Sequence, residues 1–256
     1  MNGLERRDMR FIHEGVQGKK RILLIHGLSA SAESCYQEVA GYLQKDYHMI
    51  LCELDGHYDG SLPFAGIEDA CKQIEAYVDE QLQGRIHGLS GLSLGGTIAL
   101  SLLARGRIQV DKTMIDAAYC VDMGLLKDVY AFLFPLGVAR VRDGKKVPGW
   151  IIDWTMGKGN RSFLDMIYPG IQVESCRNAC RDVYRYRIPE EIRKTGSKVE
   201  FWLGSNEYYP MQGAKSLAKY LPDLKIRVFP GMGHCQFLHE HAKEYALLLD
   251  RYMKSF

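Results

Sequence analysis

The residues with the plainest chemical meaning lie in the pentapeptide Gly91-Leu92-Ser93-Leu94-Gly95. It matches G-x-S-x-G, in which a serine sits on a sharp strand-to-helix turn and its hydroxyl projects past the end of a sheet. Small residues two places before and after the serine let the chain double back, and Gly96 adds another where helix and strand must pack closely. The helix that starts here offers unpaired N–H groups and the positive end of its dipole. A serine hydroxyl is a poor nucleophile at neutral pH. It needs a base within hydrogen-bond reach that can later return the proton to a leaving group. Histidine serves both steps because its ordinary pKa is about 6.5, and a carboxylate behind it fixes the tautomer and stabilises the imidazolium. Ser90, in Gly88-Leu89-Ser90-Gly91-Leu92, competes for the role, but Leu92 fills a place that must be small and Ser90 falls inside the strand.

Such a turn requires a strand before Ser93 and a helix after it, and the flanking sequence supplies both. Arg85 to Leu89 is a strand-like run, and Thr97 to Ala104 has helical character. The same alternation runs through the first third of the chain. Arg21–Ile25 is an apolar run ending at His26-Gly27, Ser34 to Leu43 has helical spacing, and Met49–Leu54 is a strand stopped by Asp55-Gly56. Ile67, Cys71, Ile74, Tyr77 and Val78 share one helical face, and Thr113-Met114-Ile115 is a further strand. After about residue 190 the pattern resumes, with a strand at Val199–Leu203, a helix from Gln212 to Tyr220, a strand at Ile226–Phe229 and a final helix from Glu240 to Tyr252. Strand–helix alternation of this kind implies an α/β fold, a mostly parallel sheet covered by helices on both faces.

Between Val121 and Pro189 the alternation fails. This stretch is helical in periodicity, punctuated by Pro135, Pro148 and Pro169, and rich in aromatics, among them Tyr130, Phe132, Phe134, Trp150, Trp154, Phe163 and Tyr184. It reads as an insertion (121–189) on a core made of residues 1–120 and 190–256. From Asp122 to Glu190 there are 11 Lys and Arg against 8 Asp and Glu, too small an excess to call for a phosphate-bearing substrate such as an acyl-CoA. Arg177, Arg181 and Arg185 recur every four residues and form one basic, solvated helical face.

At 256 residues the chain sits near the upper limit for one hydrophobic core. With 46% apolar and 25% charged residues it is ordinary for a globular protein, which excludes intrinsic disorder, collagen and coiled coil. A net charge of +2 gives no general attraction to nucleic acid or anionic membranes. Mean hydropathy is −0.20, and no apolar run reaches the roughly 18 residues of a membrane span. The start, Met1 to Asp8, is polar and unlike a secretory signal. Seven cysteines, an odd number, read as reduced thiols in a cytoplasmic protein. Cys176 and Cys180 lie one helical turn apart, but no nearby His or Cys completes a metal site, so no metal is expected.

With these pieces in place the sequence resembles the α/β-hydrolase family over nearly its whole length. His26-Gly27-Leu28 follows the first strong strand, Asp55-Gly56-His57 the next, Gly204-Ser205-Asn206-Glu207 the strand after the insertion, and Gly231-Met232-Gly233-His234 the last strand. The order Ser, acid, His is the family order. The resemblance implies Ser93 as nucleophile, His234 as base and Glu207 as acid, with the backbone amides of Leu28 and Leu94 binding the oxyanion. Asp116, after the Met114-Ile115 run, is the alternative acid. His57 and His87 read as structural, His239 and His241 as solvated on the last helix, and Cys120 and Cys235 as bystanders. Tyr208 and Tyr209, directly after the acid, are candidates for the mouth of the site, and the insertion becomes a cap.

The expected activity is hydrolysis of a small or medium carboxylic ester through an acyl-enzyme, with no cofactor. A serine nucleophile argues against the haloalkane dehalogenase and epoxide hydrolase chemistries of this fold, which use Asp there. Thioesterase, amidase and acyltransferase activities use the same triad, and a non-catalytic ligand-binding protein on this scaffold is the alternative of another class. The substrate expected is a small-molecule ester or thioester, with no nucleic acid and no integral membrane association. Oligomeric state is not encoded in any feature of the sequence.

Overall fold

The computed structural model describes residues 9–255, apart from residues 157, 159 and 161 and the side chains of residues 154, 155, 162 and 163. The polar start from Met1 to Asp8 and the side chains of Trp154 and Phe163 therefore lie outside the described residues. Seven strands form one sheet: β1 (Arg10–Gly15), β2 (Arg21–Ile25), β3 (His48–Glu53), β4 (Arg85–Leu92), β5 (Gln109–Asp116), β6 (Lys198–Gly204) and β7 (Lys225–Phe229). Their order is β1-β3-β2-β4-β5-β6-β7, and every pairing is parallel except that of β1 with β3. The expected α/β fold is observed, with an antiparallel edge strand added.

The sheet buries both faces, with β2 and β3 as near-continuous apolar runs whose side chains alternate between them. Ile22, Leu24, Met49, Leu51, Met114 and Trp202 enter one core, packed with helix α1 (Ala32–Leu43). Leu23, Ile25, Ile50, Leu89, Ile115 and Phe201 enter the other, packed with α2 (Ile67–Leu82) and α3 (Leu94–Arg105). Among the described residues, three α-helices lie between β5 and β6: α4 (Lys127–Arg142), α5 (Gly149–Met156) and α6 (Val173–Val183). The buried face of α6 (Ala179, Cys180, Val183) joins the core of α2 and α3, so one side of the insertion is rooted in the main fold. After β6 comes α7 (Tyr208–Leu217), and after β7 come α8 (Gln236–Glu240) and α9 (Ala242–Lys254), whose Tyr245, Ala246 and Leu249 complete the first core.

Several expectations need correction. The last helix is two helices, broken at His241, so His239 lies on α8 and His241 at the junction. Both are half-buried, and the His241 ring packs on Phe237 at 5.5 Å between centroids. The fourth parallel strand is longer than Thr113-Met114-Ile115 because Lys112 interrupts its apolar pattern. Lys112 is nevertheless buried, and its ammonium donates to the carbonyls of Tyr252 (2.8 Å) and Met253 (3.2 Å) at the end of α9. A cation there offsets the negative end of the helix dipole. Helices α3 and α7 start at Leu94 and Tyr208, several residues before their apolar periodicity does, because the strand-end turns feed straight into them.

Candidate active site

Ser93 stands between the end of β4 and the start of α3 with φ +53° and ψ −111°. A residue with a side chain in that region is strained by about 1–3 kcal/mol and persists only where its surroundings hold it. Here the Ser93 N–H donates to the Asp116 carbonyl of β5 at 2.7 Å, and the Ser93 carbonyl accepts from Thr97 N–H at 3.0 Å. The flanking glycines are required by close approach. A Cβ on Gly91 would collide with the Gly95 carbonyl, and one on Gly95 with the Ile25 carbonyl of β2. Ser90 is wholly buried inside β4.

His234, on the loop after β7, places Nε2 2.9 Å from Ser93 Oγ and Nδ1 2.6 Å from Glu207 Oε1. A carboxylate can only accept, so the ring proton sits on Nδ1 and Nε2 is left as acceptor for the serine hydroxyl. Glu207 is the residue before α7, and its other oxygen accepts the Gly204 N–H at 2.5 Å. One carboxylate thereby fixes its own loop and orients the imidazole. All three side chains are buried.

Asp116 ends β5 and is also buried, but the structure brings Glu207 rather than Asp116 into hydrogen-bond contact with His234. Burial, and next the negative charge of Glu207, push the Asp116 carboxyl well above the ordinary carboxylate range. Two carboxyl groups share this end of the sheet: Glu207 holds the Gly204 and His234 N–H donors, while Asp116 has the Tyr245 hydroxyl beside it.

Leu28 lies on the loop between β2 and α1, and Leu94 is the first residue of α3. Two histidines brace the Leu28 loop from behind. His57 Nδ1–H donates to the Asp55 carbonyl at 2.8 Å, so its Nε2 accepts the Ser29 N–H at 3.2 Å. His26 Nδ1–H donates to the Gly27 carbonyl at 2.8 Å, and its Nε2 accepts the Leu54 N–H at 3.0 Å. Burial, and then the neighbouring His26, lower the His57 pKa to about 3. Ser29, with φ +68°, is a second side chain held in the left-handed region. His57 thus supports the loop beside the site, while His87, half-buried on β4, bonds Asp111 and the Met253 carbonyl.

The insertion reaches the site through two contacts that sequence reasoning missed. The His234 N–H donates to the Met156 carbonyl of α5 at 2.7 Å, and buried Asn160 donates to the carbonyls of His234 (2.7 Å) and Met156 (3.0 Å). Tyr119, also missed, meets the His234 ring edge-on with centroids 5.4 Å apart. Nothing in the local sequence of Asn160 marks it; an aromatic three residues past the end of β5 is the one signal for Tyr119. Tyr208 and Tyr209 line an opening shared with Glu207, His234, Tyr130 and Met156. Tyr130 and Met156 also border an apolar chamber inside the insertion, lined further by Phe134, Val138, Val141 and Ile152. Cys120 and Cys235 are buried thiols, and burial pushes the first up to about 12 and the second well above the ordinary thiol range, so neither is a thiolate nucleophile. Arg177, Arg181 and Arg185 are exposed, and Arg185 pairs with Asp128 of α4 at 2.5 Å. Cys176 and Cys180 face the interior from α6. Among the described residues no group of three His, Cys, Asp or Glu could hold a metal ion.

Comparison with known proteins agrees with this architecture. The family model described as "Alpha/beta hydrolase family" matches residues 22–246, while no curated protein sequence matches. The chain is similar in structure to an α/β-hydrolase family protein from Desulfitobacterium hafniense, with TM-score 0.84 and 22% identity over 94% of this chain and 99% of that one. It is also similar to bromoperoxidase from Bacillus anthracis (TM-score 0.77, 18% identity, 96% and 95% covered). A third similar structure is carboxylesterase CesB (YbfK) from Bacillus subtilis (TM-score 0.75, 16% identity, 96% and 87% covered). At such identities the structural likeness speaks for the fold, and the family match covers most of the chain: this protein belongs to the α/β-hydrolase family.

Proposed function

We propose that the protein is a serine hydrolase of small or medium apolar carboxylic esters, with Ser93, His234 and Glu207 as its catalytic triad. The observation that carries this reading is the unbroken hydrogen-bonded line from Ser93 Oγ through both imidazole nitrogens to Glu207. His234 Nε2 takes the serine proton as Oγ attacks the ester carbonyl, and Glu207 stabilises the imidazolium. The amides of Leu28 and Leu94 receive the oxyanion, each worth about 10²–10³ in kcat. The imidazolium then protonates the departing alcohol, leaving an acyl group on Ser93. A water activated by the same nitrogen attacks that acyl group, and collapse releases the acid and the serine. Residues 121–189 act as the cap on the core of residues 1–120 and 190–256. The chamber bordered by Tyr130 and Met156 takes the acyl chain, and its apolar lining favours hydrocarbon over charged acyl groups.

A panel of p-nitrophenyl esters tests this. Hydrolysis should rise from acetate towards hexanoate by up to roughly fourfold in kcat/KM per methylene and fall by about 10⁴ or more in Ser93→Ala. Equal hydrolysis by folded Ser93→Ala would overturn it.

A further inference from the structure

The outer face of α4 has no place in the chemistry above. A helix that is apolar on all sides belongs in an interior, and the eleven residues from Val129 to Ala139 carry no charge. Yet only Pro135 and Val138 of α4 are fully buried. One side, with Tyr130, Phe134 and Val138, turns towards the chamber. The other exposes Val129, Phe132, Leu133 and Leu136, with Leu125 of the preceding turn 97% exposed and Phe132 67%. These positions recur at helical spacing (125, 129, 132, 133, 136), so they form one stripe. Trp150, opening α5, is 69% exposed as well. Among the described residues, no other surface gathers so many large exposed apolar side chains, and such a patch marks a docking site.

Charge and topology identify what covers it. From Lys127 to Trp150 there are five Lys and Arg against two Asp. Arg140 continues the stripe one turn beyond Leu136, and Lys145 and Lys146 follow on the exposed loop. The net charge of +2 hides this local excess, because it averages over the whole chain. An apolar stripe flanked by cations suits the boundary of an anionic bilayer. Leu133 both lines the chamber and is exposed, so the stripe and the chamber share a wall.

We propose that the α4 face docks the protein on an anionic phospholipid surface, with Leu125, Val129, Phe132 and Leu136 entering the headgroup boundary and Arg140, Lys145 and Lys146 meeting lipid phosphates. The chamber wall that holds Leu133 then faces the reservoir of apolar acyl esters. This delivery role rests on the ester-hydrolase reading, and the docking does not.

Flotation of the full chain with phosphatidylcholine vesicles, with and without phosphatidylglycerol, tests it. The wild type should bind the anionic vesicles, and binding should weaken with salt. Leu125→Asp/Phe132→Asp should lower partitioning at least about tenfold, and Lys145→Glu/Lys146→Glu about tenfold on anionic vesicles alone. Both variants should hydrolyse soluble p-nitrophenyl butyrate within about twofold of wild type, and Ser93→Ala should float like wild type. If the apolar double variant does not fold, hydrogen exchange of the wild type decides: vesicles should slow exchange across residues 125–136. Wild type no better bound to anionic vesicles than to none, or unchanged exchange in 125–136, overturns the proposal. So does a wild-type dimer that Leu125→Asp/Phe132→Asp dissolves. Vesicle binding without ester hydrolysis would instead sink the catalytic reading and leave the docking intact.

Discussion

The rim of the sheet and the outer half of the insertion are built on opposite terms. At the rim, Ser93, His234, Glu207, Asp116, His26 and His57 are all buried, and strained backbone at Ser29 and Ser93 is held by hydrogen bonds from neighbouring strands and loops. In α4 a sixteen-residue helix buries two residues and leaves an apolar stripe in solvent. The difference teaches where precision is needed. Proton transfer depends on atoms held to a few tenths of an ångström, which only a packed and saturated network supplies. Recognising an apolar chain depends on area and shape, which the apolar lining from α4 and α5 can provide. The two regions touch at the His234 loop, through the Met156 carbonyl and the Asn160 amide.

The largest effect that would separate the regions comes from the rim. Glu207→Gln should lower kcat by about 10²–10⁴ with KM little changed, because the imidazole loses both its tautomer lock and its counter-charge. An equal loss in Asp116→Asn, with Glu207→Gln near wild type, would reverse the choice of acid. A smaller effect comes from the chamber. Val141→Trp should cut kcat/KM for p-nitrophenyl octanoate by about tenfold while leaving acetate within about twofold, and uniform loss across the ester panel would mean that acyl chains do not enter there.

The smallest effect concerns the second carboxyl. Burial and the charge of Glu207 raise the folded-state pKa of Asp116 above its unfolded value of about 3.9. The native state then binds more protons than the unfolded chain, so the stability this group contributes is present below about pH 3.9 and is lost as pH rises through the folded value. Asp116→Asn removes that loss. Its Tm should match wild type near pH 4 and exceed it by roughly a few degrees at neutral pH, with activity kept. A Tm difference independent of pH would show that Asp116 does not titrate in this way.

Much of the fold and its turns can be read from the chain, because apolar runs ending in small or polar turn residues leave a direct signature. β2, β3 and the Phe201-Trp202-Leu203 stretch before Glu207 are of this kind, whereas β7, before His234, alternates apolar residues with Lys225 and Arg227. What escapes is what depends on distant partners. β1 is polar, since it lies at an edge and pairs only with β3. Lys112 looks like a break in β5 until α9 supplies carbonyls for its ammonium. Asn160 acquires its function from two carbonyls, one of them 74 residues away. The buried state of Asp116 follows from its neighbours in the folded sheet and not from its place in the sequence. The exposure of α4 is invisible as well, because its pattern of apolar residues describes an interior helix.

The catalytic reading stands or falls on whether Ser93 carries the acyl group. Intact-mass measurement after treatment with a fluorophosphonate, followed by peptide mapping, reports this on the wild-type chain. One adduct on Ser93, abolished in Ser93→Ala and slowed about a hundredfold or more in Glu207→Gln, is the expected result. A folded wild type that stays unlabelled, or that carries its adduct on another residue, contradicts the reading.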